Sequence, residues 1–548
     1  MSKFVRWAAA CAASLAVAGC RTGAVDPSTA DAPAAAAAPV VAAPAPATLP
    51  VPWWKNAVFY EVFLRSFADS TTGPLANDGI GDFQGLIERL DYLNDGDPAT
   101  TTDLGVTGLW LMPINPSPSY HGYDVTDYYG INPQYGTRAD FERLLAECHR
   151  RGIRVIVDLV LNHSSSRHPA FQAALRGDAA HRDWYLFVPP DRVPDVEGPW
   201  DQVVWHEARG LHYYGIFWSG MPDLNYRNPA VTAEAYRIAA FWLTEMRVDG
   251  FRLDAIRHLI EDGDVMSDTP ETIAWLQGFR KHVRSVDQDA LVVGEVWTTT
   301  DTVSQYLHAD ALDLAFEFDL GSAFLDAVRT GDGTKLAYAL DEATAAYPDA
   351  RYATILTNHD QNRVASELGE VPARLALAAT LLLTAPGVPF IYYGEEIGQV
   401  GAKPDEMIRN PMPWTPGPNG GFTQAAQPWE PLQDGHERRN VATLDADPDS
   451  LLHHYRRLVR LRQAEPALSR GSYRRVDTGR DDVIAWQREF EGRRLVVVAN
   501  LSGREIRDFA LPSDAPVTTV DLITGQAVVS TGRLSLAAYT AVVLADGG

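Results

Sequence analysis

The sequence predicts an α/β fold: a closed (β/α)8 TIM-type barrel with a small domain inserted after its third strand and an antiparallel β-domain at the C-terminus. Three observations lead there. First, short apolar runs at 57–63, 108–113, 153–160, 248–253, 291–296, 312–318, 352–357 and 389–393 alternate with amphipathic stretches such as 138–151, 232–246, 272–286 and 373–383. Strands alternating with helices are the pattern of a parallel sheet, and eight of them can close. Second, the crossover from Asn162 to Thr232 is rich in aromatics, Gly and Pro but has little periodicity. A connection that long reads as a small domain of its own. Third, after about Pro466 the runs become short and turn-separated, at 472–476, 483–488, 494–500, 517–521 and 539–544. These read as antiparallel strands with one buried face.

In chain order, the first element is not fold. Lys3 and Arg6 precede a short run of apolar and small residues, 7–19, as in a signal peptide. The run is too short to be read as a membrane span. Leu15-Ala16-Val17-Ala18-Gly19-Cys20 resembles a bacterial lipobox. That resemblance implies cleavage before Cys20, lipidation of Cys20 and an exported lipoprotein, outer-membrane-anchored, periplasmic or at the cell surface. Arg21 follows the cysteine, where an Asp would mark retention at the inner membrane. The alternative is an ordinary secretory signal with a chance cysteine. Residues 25–50 are dominated by Ala and Pro, a semi-extended tether with no packed face. The resulting division is signal 1–20, tether 21–50, barrel 51–162 and 225–465, insertion 163–224, and C-terminal β-sandwich 466–548.

Composition narrows the function. The chain has 548 residues, 46% hydrophobic and 22% charged, with a net charge of -24. It is long enough for two or three domains. The acidity argues against nucleic acid as a partner, since such binders carry a basic footprint, and it reads as a solubility feature. Of the three cysteines, Cys11 leaves with the signal and Cys20 would carry lipid. Cys148 then has no partner for an intramolecular disulfide and sits in a helical pattern as a core residue.

The strand ends carry the chemistry. The fourth run, within Gly250-Phe251-Arg252-Leu253-Asp254-Ala255-Ile256-Arg257-His258, stops on a charged pair. Residues two apart on a strand share a face, so Arg252 and Asp254 point the same way. A buried strand ending on an arginine and a carboxylate is costly outside a site. The third run ends on Asp158, Asn162 and His163, the fifth on Glu295, and the seventh on Asn358-His359-Asp360. In a barrel these ends form one rim, where catalytic groups lie. Packing alone does not explain so many polar groups there, since each buried one needs partners. Two other patterns fail. His206-Glu207 has its next histidine at His212, the wrong spacing for a zinc protease. Gly79 to Gly85 has Gln84 where a nucleotide loop needs Gly.

On these motifs the chain resembles glycoside hydrolase family 13, the α-amylase family. The resemblance runs from about Val51 to the C-terminus. It includes Tyr60-Glu61-Val62-Phe63-Leu64-Arg65-Ser66-Phe67, His121-Gly122-Tyr123-Asp124-Val125-Thr126-Asp127-Tyr128, Met221-Pro222-Asp223-Leu224-Asn225 and Gly387-Val388-Pro389-Phe390-Ile391-Tyr392-Tyr393-Gly394-Glu395-Glu396. It implies a retaining hydrolase with Asp254 as nucleophile, Glu295 as general acid/base and Asp360 as the third carboxylate, gripping sugar hydroxyls and stabilising the transition state. Arg252 would hold Asp254 ionised, while burial and neighbouring carboxylates would keep Glu295 protonated. Tyr123, His163 and His359 resemble the family's substrate-binding residues, with Asp124 and Arg363 adding polar contacts. Asp158 orients the Arg252 region rather than reacting. Trp218, Trp297 and Trp414 either line a sugar groove or pack.

Many members of the family bind Ca2+, a hard ion needing several oxygen ligands. Asn162 and the carbonyl of His258 match one of its sites. A second site, an acidic run, is interrupted by an insertion here. Asp78, Asp82 and the Ile80 carbonyl remain, with Asp69 able to loop back; the alternative is a solvated turn without metal.

Within the family, Ala255 after the nucleophile resembles the α-1,4-acting members, since those acting on α-1,6 links carry Val there. Met221 to Asn225 resembles an intermediate group containing lipoprotein α-amylases. The expected activity is therefore endo-acting hydrolysis of α-1,4-glucans such as starch, maltodextrins or maltooligosaccharides. The alternatives are an exo-acting α-glucosidase or maltodextrin/cyclodextrin hydrolase with transglycosylation and, more remotely, a non-catalytic barrel scaffold. The partners this implies are an α-glucan substrate and, through the lipid alone, a membrane.

Overall fold

The computed structural model describes residues 51–510, 520–530 and 532–545. Eight parallel strands close a barrel: β1 (Phe59–Val62), β2 (Gly108–Leu111), β3 (Arg154–Val160), β4 (Gly250–Asp254), β5 (Leu291–Gly294), β6 (Leu314–Phe316), β7 (Tyr352–Thr354) and β8 (Val388–Tyr392). Each lies on a run the sequence marks, and β8 pairs with β1 to shut the ring. Trp110, Ile156, Val293, Leu314, Phe316 and Phe390 pack within one buried cluster, as expected where side chains rather than solvent fill a barrel. Gly250 starts β4 at φ 151°, and a Cβ there would meet the Leu291 carbonyl oxygen at 2.2 Å. Only glycine lets β4 approach β5 this closely.

Helices on the outside follow the amphipathic stretches. Helix α1 (Arg138–Arg150) opens on a capping box between Thr137 and Asp140. Helices α2 (Pro229–Thr244) and α3 (Pro270–Val286) each start with Pro after a capping Asn228 or Thr269. Helix α4 (Pro372–Thr384) is buried along most of its length.

Between β3 and α2 lies a three-stranded antiparallel sheet of Phe187–Val188, Leu211–Tyr214 and Trp205–Ala208, over an aromatic cluster that includes Phe171, Tyr185 and Tyr213. Its strands are too short for alternation to show in the sequence. Arg209 and Gly210 join two of them, both at positive φ, the geometry of a tight hairpin. The bridge His163↔Asp223 ties this insertion back to the end of β3.

Helix α5 (Leu451–Ala464) and the short α6 (Pro466–Arg470) lead into the C-terminal sheets. One sheet runs Ser472–Val476, Val483–Phe490, Arg493–Asn500 and Thr540–Ala545, all antiparallel. A second, of Ile506–Ala510, Arg533–Leu536 and Val529–Ser530, is absent from the expected strands. Of the strand expected at 517–521, residues 517–519 lie outside the described residues; Val520 and Asp521 make only isolated bridges. The signal, Cys20 and the tether, residues 1–50, also lie outside them.

Candidate active site

Register assembles the site. β3 and β4 pair so that Asp158 faces Arg252 and Val160 faces Asp254. β4 and β5 pair Leu253 with Gly294, which sets Glu295 one step beyond the ladder, its N–H on the Leu253 carbonyl. Arg252 and Asp254 therefore share the barrel-facing side, as their spacing requires.

Arg252 is the electrostatic centre. Its side chain is 1% exposed and meets three carboxylates: Nη1 reaches Asp158 Oδ1 at 2.8 Å and Asp254 Oδ1 at 2.6 Å, and Nη2 reaches Glu295 Oε2 at 2.9 Å. The guanidinium also lies 5.1 Å from the Trp110 ring centre. An isolated buried cation would cost several kcal/mol, so the cluster is mutually dependent. Burial raises Asp158 to about 7 against the pull of Arg252. Burial likewise raises Asp254, opposed by the charge and the hydrogen bond of Arg252. Burial raises Glu295 as well; Arg252 opposes it, while the charges of Asp254 and Asp360 add to it. Asp254 has the closer hold on the guanidinium, so Glu295 is the carboxyl more easily kept protonated.

Asp360 differs from both. Burial alone would raise it, but His359 and Arg409 outweigh burial and hold it far below the usual range. Arg409 Nη2 is 2.8 Å from Asp360 Oδ1 and 3.0 Å from Asp405 Oδ2. His359 is raised to about 10: burial lowers it, but Asp360 and Glu61 flank its ring and prevail. Tyr123 Oη donates to Asp158 Oδ2 at 3.1 Å and lies 2.7 Å from His359 Nε2. His163 is buried, driven down to about 3 and thus neutral, with Nε2 unpartnered.

These residues open on a cleft of about 750 Å³, whose lining includes Tyr123, His163, Asp254, Glu295 and Asp360. Trp200 and Trp218, 59% and 50% exposed, line the insertion's wall, with Trp200 stacked on Phe217. Trp297, 43% exposed, lies flat on Phe318 with ring centres 4.4 Å apart. One alternative is decided, and one expectation is corrected at Arg363. Trp414 is buried and donates Nε1–H to the Phe67 carbonyl, so it packs. Ser117 and Ser119 hydroxyls donate to the Asp124 carboxylate, whose charge acts on His121 and His163 in the cleft lining. Arg363 does not line the cleft; it lies over Tyr392 and Tyr393 and donates to the Tyr393 carbonyl. Arg409, which the sequence did not mark, makes the contact to Asp360. It stands 49 residues away in sequence, in a segment with no periodic signal. Glu61 was visible as a buried acid at the end of a strand, the signal that marked Arg252.

For a cation, orphaned buried oxygens are the test. Asn162 Oδ1, Asp223 Oδ2 and Glu261 Oε1 are buried without a partner. Burial, with Glu261 beside it, raises Asp223 well above its usual range, and burial raises Glu261 to about 7. Two buried carboxyls, each with one unpartnered oxygen, and an amide oxygen suit a hard divalent ion such as Ca2+, so the residues fit the site expected at Asn162, where Asp223 and Glu261 could serve beside it. His258 lies close by in the cleft wall, its Nδ1 bonded to the Met266 carbonyl. The run at Asp78, Ile80 and Asp82 does not pass the same test. Asp78 accepts from the Ile80 N–H, Asp82 caps a helix through Gly85 and binds Ser70, and Asp69 accepts from Asn77 and Gly79. Its carboxylates are engaged in holding their own loop.

Comparison with known proteins gives the family. The alpha amylase catalytic-domain family profile matches residues 61–471. Alpha-amylase 3 of Dictyoglomus thermophilum is 40% identical over 458 residues, covering 82% of this chain and 86% of that protein. Trehalose-6-phosphate hydrolase of Bacillus subtilis is 32% identical over 530 residues, covering 84% and 91%. The crystal structure of alpha-amylase from H. orenii superposes with a TM-score of 0.79 at 40% identity, covering 90% of this chain and 100% of that one. With its barrel, its rim of carboxylates and these relatives, the chain belongs to glycoside hydrolase family 13, the alpha-amylase family.

Proposed function

We propose that this glycoside hydrolase is an endo-acting α-amylase that cleaves α-1,4 bonds of starch and maltodextrins with retention. Asp254 attacks the anomeric carbon while Glu295 protonates the leaving oxygen. Glu295 then deprotonates the water that releases the glycosyl-enzyme. Asp360, held ionised by His359 and Arg409, stabilises the positive charge that develops on the sugar. Tyr123, His163 and His359 contact the ring at the cleavage site. One guanidinium shared by Asp254 and Glu295 supports the close spacing of a retaining pair, about 5–5.5 Å. A Ca2+ held by Asn162, Asp223 and Glu261 would brace the insertion against the end of β3.

The observation that carries endo action is the set of exposed aromatics in the cleft. Trp200, Trp218 and Trp297, 59%, 50% and 43% exposed, line it together with Asp254, Glu295 and Asp360 and offer ring faces to a chain. Such faces suit a glucan chain passing through, whereas a terminal sugar needs a closed pocket. A time course on starch and maltoheptaose tests this. Mid-length products are expected early, with rapid loss of iodine staining. Glucose as the sole early product would establish the second reading, an exo-acting α-glucosidase or maltodextrin hydrolase with transglycosylation. Lys403, Asp405 and Arg409, a charged wall at the cleft, support that second reading. Glu295→Gln should abolish hydrolysis of a chromogenic maltooligosaccharide; equal activity in parent and variant would sink the assignment of roles and favour a non-catalytic scaffold.

A further inference from the structure

At the end of the barrel opposite the catalytic rim, a cavity of about 590 Å³ opens beneath the strand starts. Asn56, Thr107 and Arg154, at or just before the starts of β1, β2 and β3, line one part of it, and Arg462, Gln463 and Arg470 of α5 and α6 another. Although the chain carries a net charge of -24, this cavity gathers five arginines: Arg151, Arg154, Arg460, Arg462 and Arg470. Three are balanced. Arg151 pairs with Asp91 and Glu147, Arg154 with Asp249, and Arg460 with Asp103.

The other two differ. Among the described residues, neither Arg462 nor Arg470 has a carboxylate partner. Arg462 is 1% exposed. Its terminal nitrogens donate to the carbonyls of Leu383, Ala385 and Gly387 at 2.9, 3.0 and 2.5 Å, and its Nε has no partner. Arg470 lies 4.4 Å over the Phe490 ring, and its Nε is buried and unpartnered as well. Carbonyl dipoles do not neutralise a full charge, and burial pulls Arg462 down to about 9. A buried guanidinium with an idle donor and no counter-ion is costly until an anion arrives.

We propose that this cavity is an anion site, remote from the cleft, for a phosphate dianion, either free or as the monoester of a small sugar. Guanidinium groups match the tetrahedral oxygens of phosphate in charge and donor geometry. The cavity is larger than phosphate alone requires, which leaves space for an attached sugar.

Titration calorimetry on the full chain tests this with inorganic phosphate, glucose 6-phosphate and, as the uncharged control, glucose. Saturable binding is expected for both phosphates below about 10 mM. Glucose 6-phosphate binding tenfold tighter than phosphate identifies the monoester as the ligand; equal affinities identify the anion alone. Arg470→Ala should weaken binding roughly tenfold or more, since it removes a charge-assisted contact, with starch turnover unchanged. Arg462→Gln, which keeps amide donors for the carbonyls, is the second variant and should weaken binding similarly; its melting temperature reports whether it folds. Arg507→Ala, on the exposed surface, should leave binding intact. Absence of saturable binding of either phosphate to the parent overturns the site, as does an equal loss in Arg507→Ala and Arg470→Ala.

Discussion

Ala255, in a left-handed conformation at φ 49°, donates its N–H to Glu295 Oε2 at 2.9 Å. The residue after the proposed nucleophile thus holds the proposed acid/base, so backbone conformation and carboxyl position are linked. A β-branched side chain is poorly tolerated at positive φ. Ala255→Val should therefore lower kcat/KM on maltooligosaccharides about tenfold, the equivalent of 1–2 kcal/mol of strain. Ala255→Gly should stay near the parent. Comparing maltotriose with isomaltotriose also tests linkage choice; unchanged kcat/KM in Ala255→Val would refute the link.

Arg252 meets three carboxylates through a planar fork. Lysine offers a point charge that cannot span them. Arg252→Lys should cut kcat at least about a hundredfold. Steady-state turnover measures this, and near-parental kcat would show that the fork geometry does not matter.

The pH profile should report the same cluster. The proposed mechanism needs Asp254 ionised and Glu295 protonated, so the basic limb of kcat/KM should follow Glu295. The negative charge of Asp360 helps to raise Glu295. Removing it makes Glu295 easier to ionise. In Asp360→Asn the residual activity should lose its basic limb at a lower pH than the parent. A limb that stays put or moves upward contradicts this electrostatic coupling.

The cation assignment is tested on stability. A chelator should lower the melting temperature by a few degrees and added Ca2+ should restore it, because an ion bound only by the folded state stabilises it by mass action. Asp223→Asn with Glu261→Gln should abolish that response. A double variant that responds to Ca2+ like the parent would place the ion elsewhere.

The lipid anchor proposed at Cys20 predicts a simple fractionation. Cys20→Ser should move the protein from the membrane fraction to the soluble one, since the acyl chains supply the attachment, with hydrolytic activity retained. A variant still recovered with membranes would refute the anchor.

The barrel was legible because its strands are buried on both faces and read as near-continuous apolar runs. Period two alone put Arg252 and Asp254 on one face, and their cost in a buried strand marked a site. The insertion was legible only as an interruption: its strands have two to four residues, too few to show alternation. The sheet containing Ile506–Ala510 was hidden because that strand bends at a bulge between Ile506 and Phe509, which breaks the alternation.

The sequence by itself determined the barrel and the rim carrying Asp254, Glu295 and Asp360. All of these lie on or beside strands, where local periodicity dictates direction. Only the tertiary structure decided the partners. Arg409 reaches Asp360, Asp158 and Glu295 share Arg252, and His359 pairs with Glu61. These groups come from segments distant in the chain, and electrostatic pairing depends on distance in space, which no local pattern encodes.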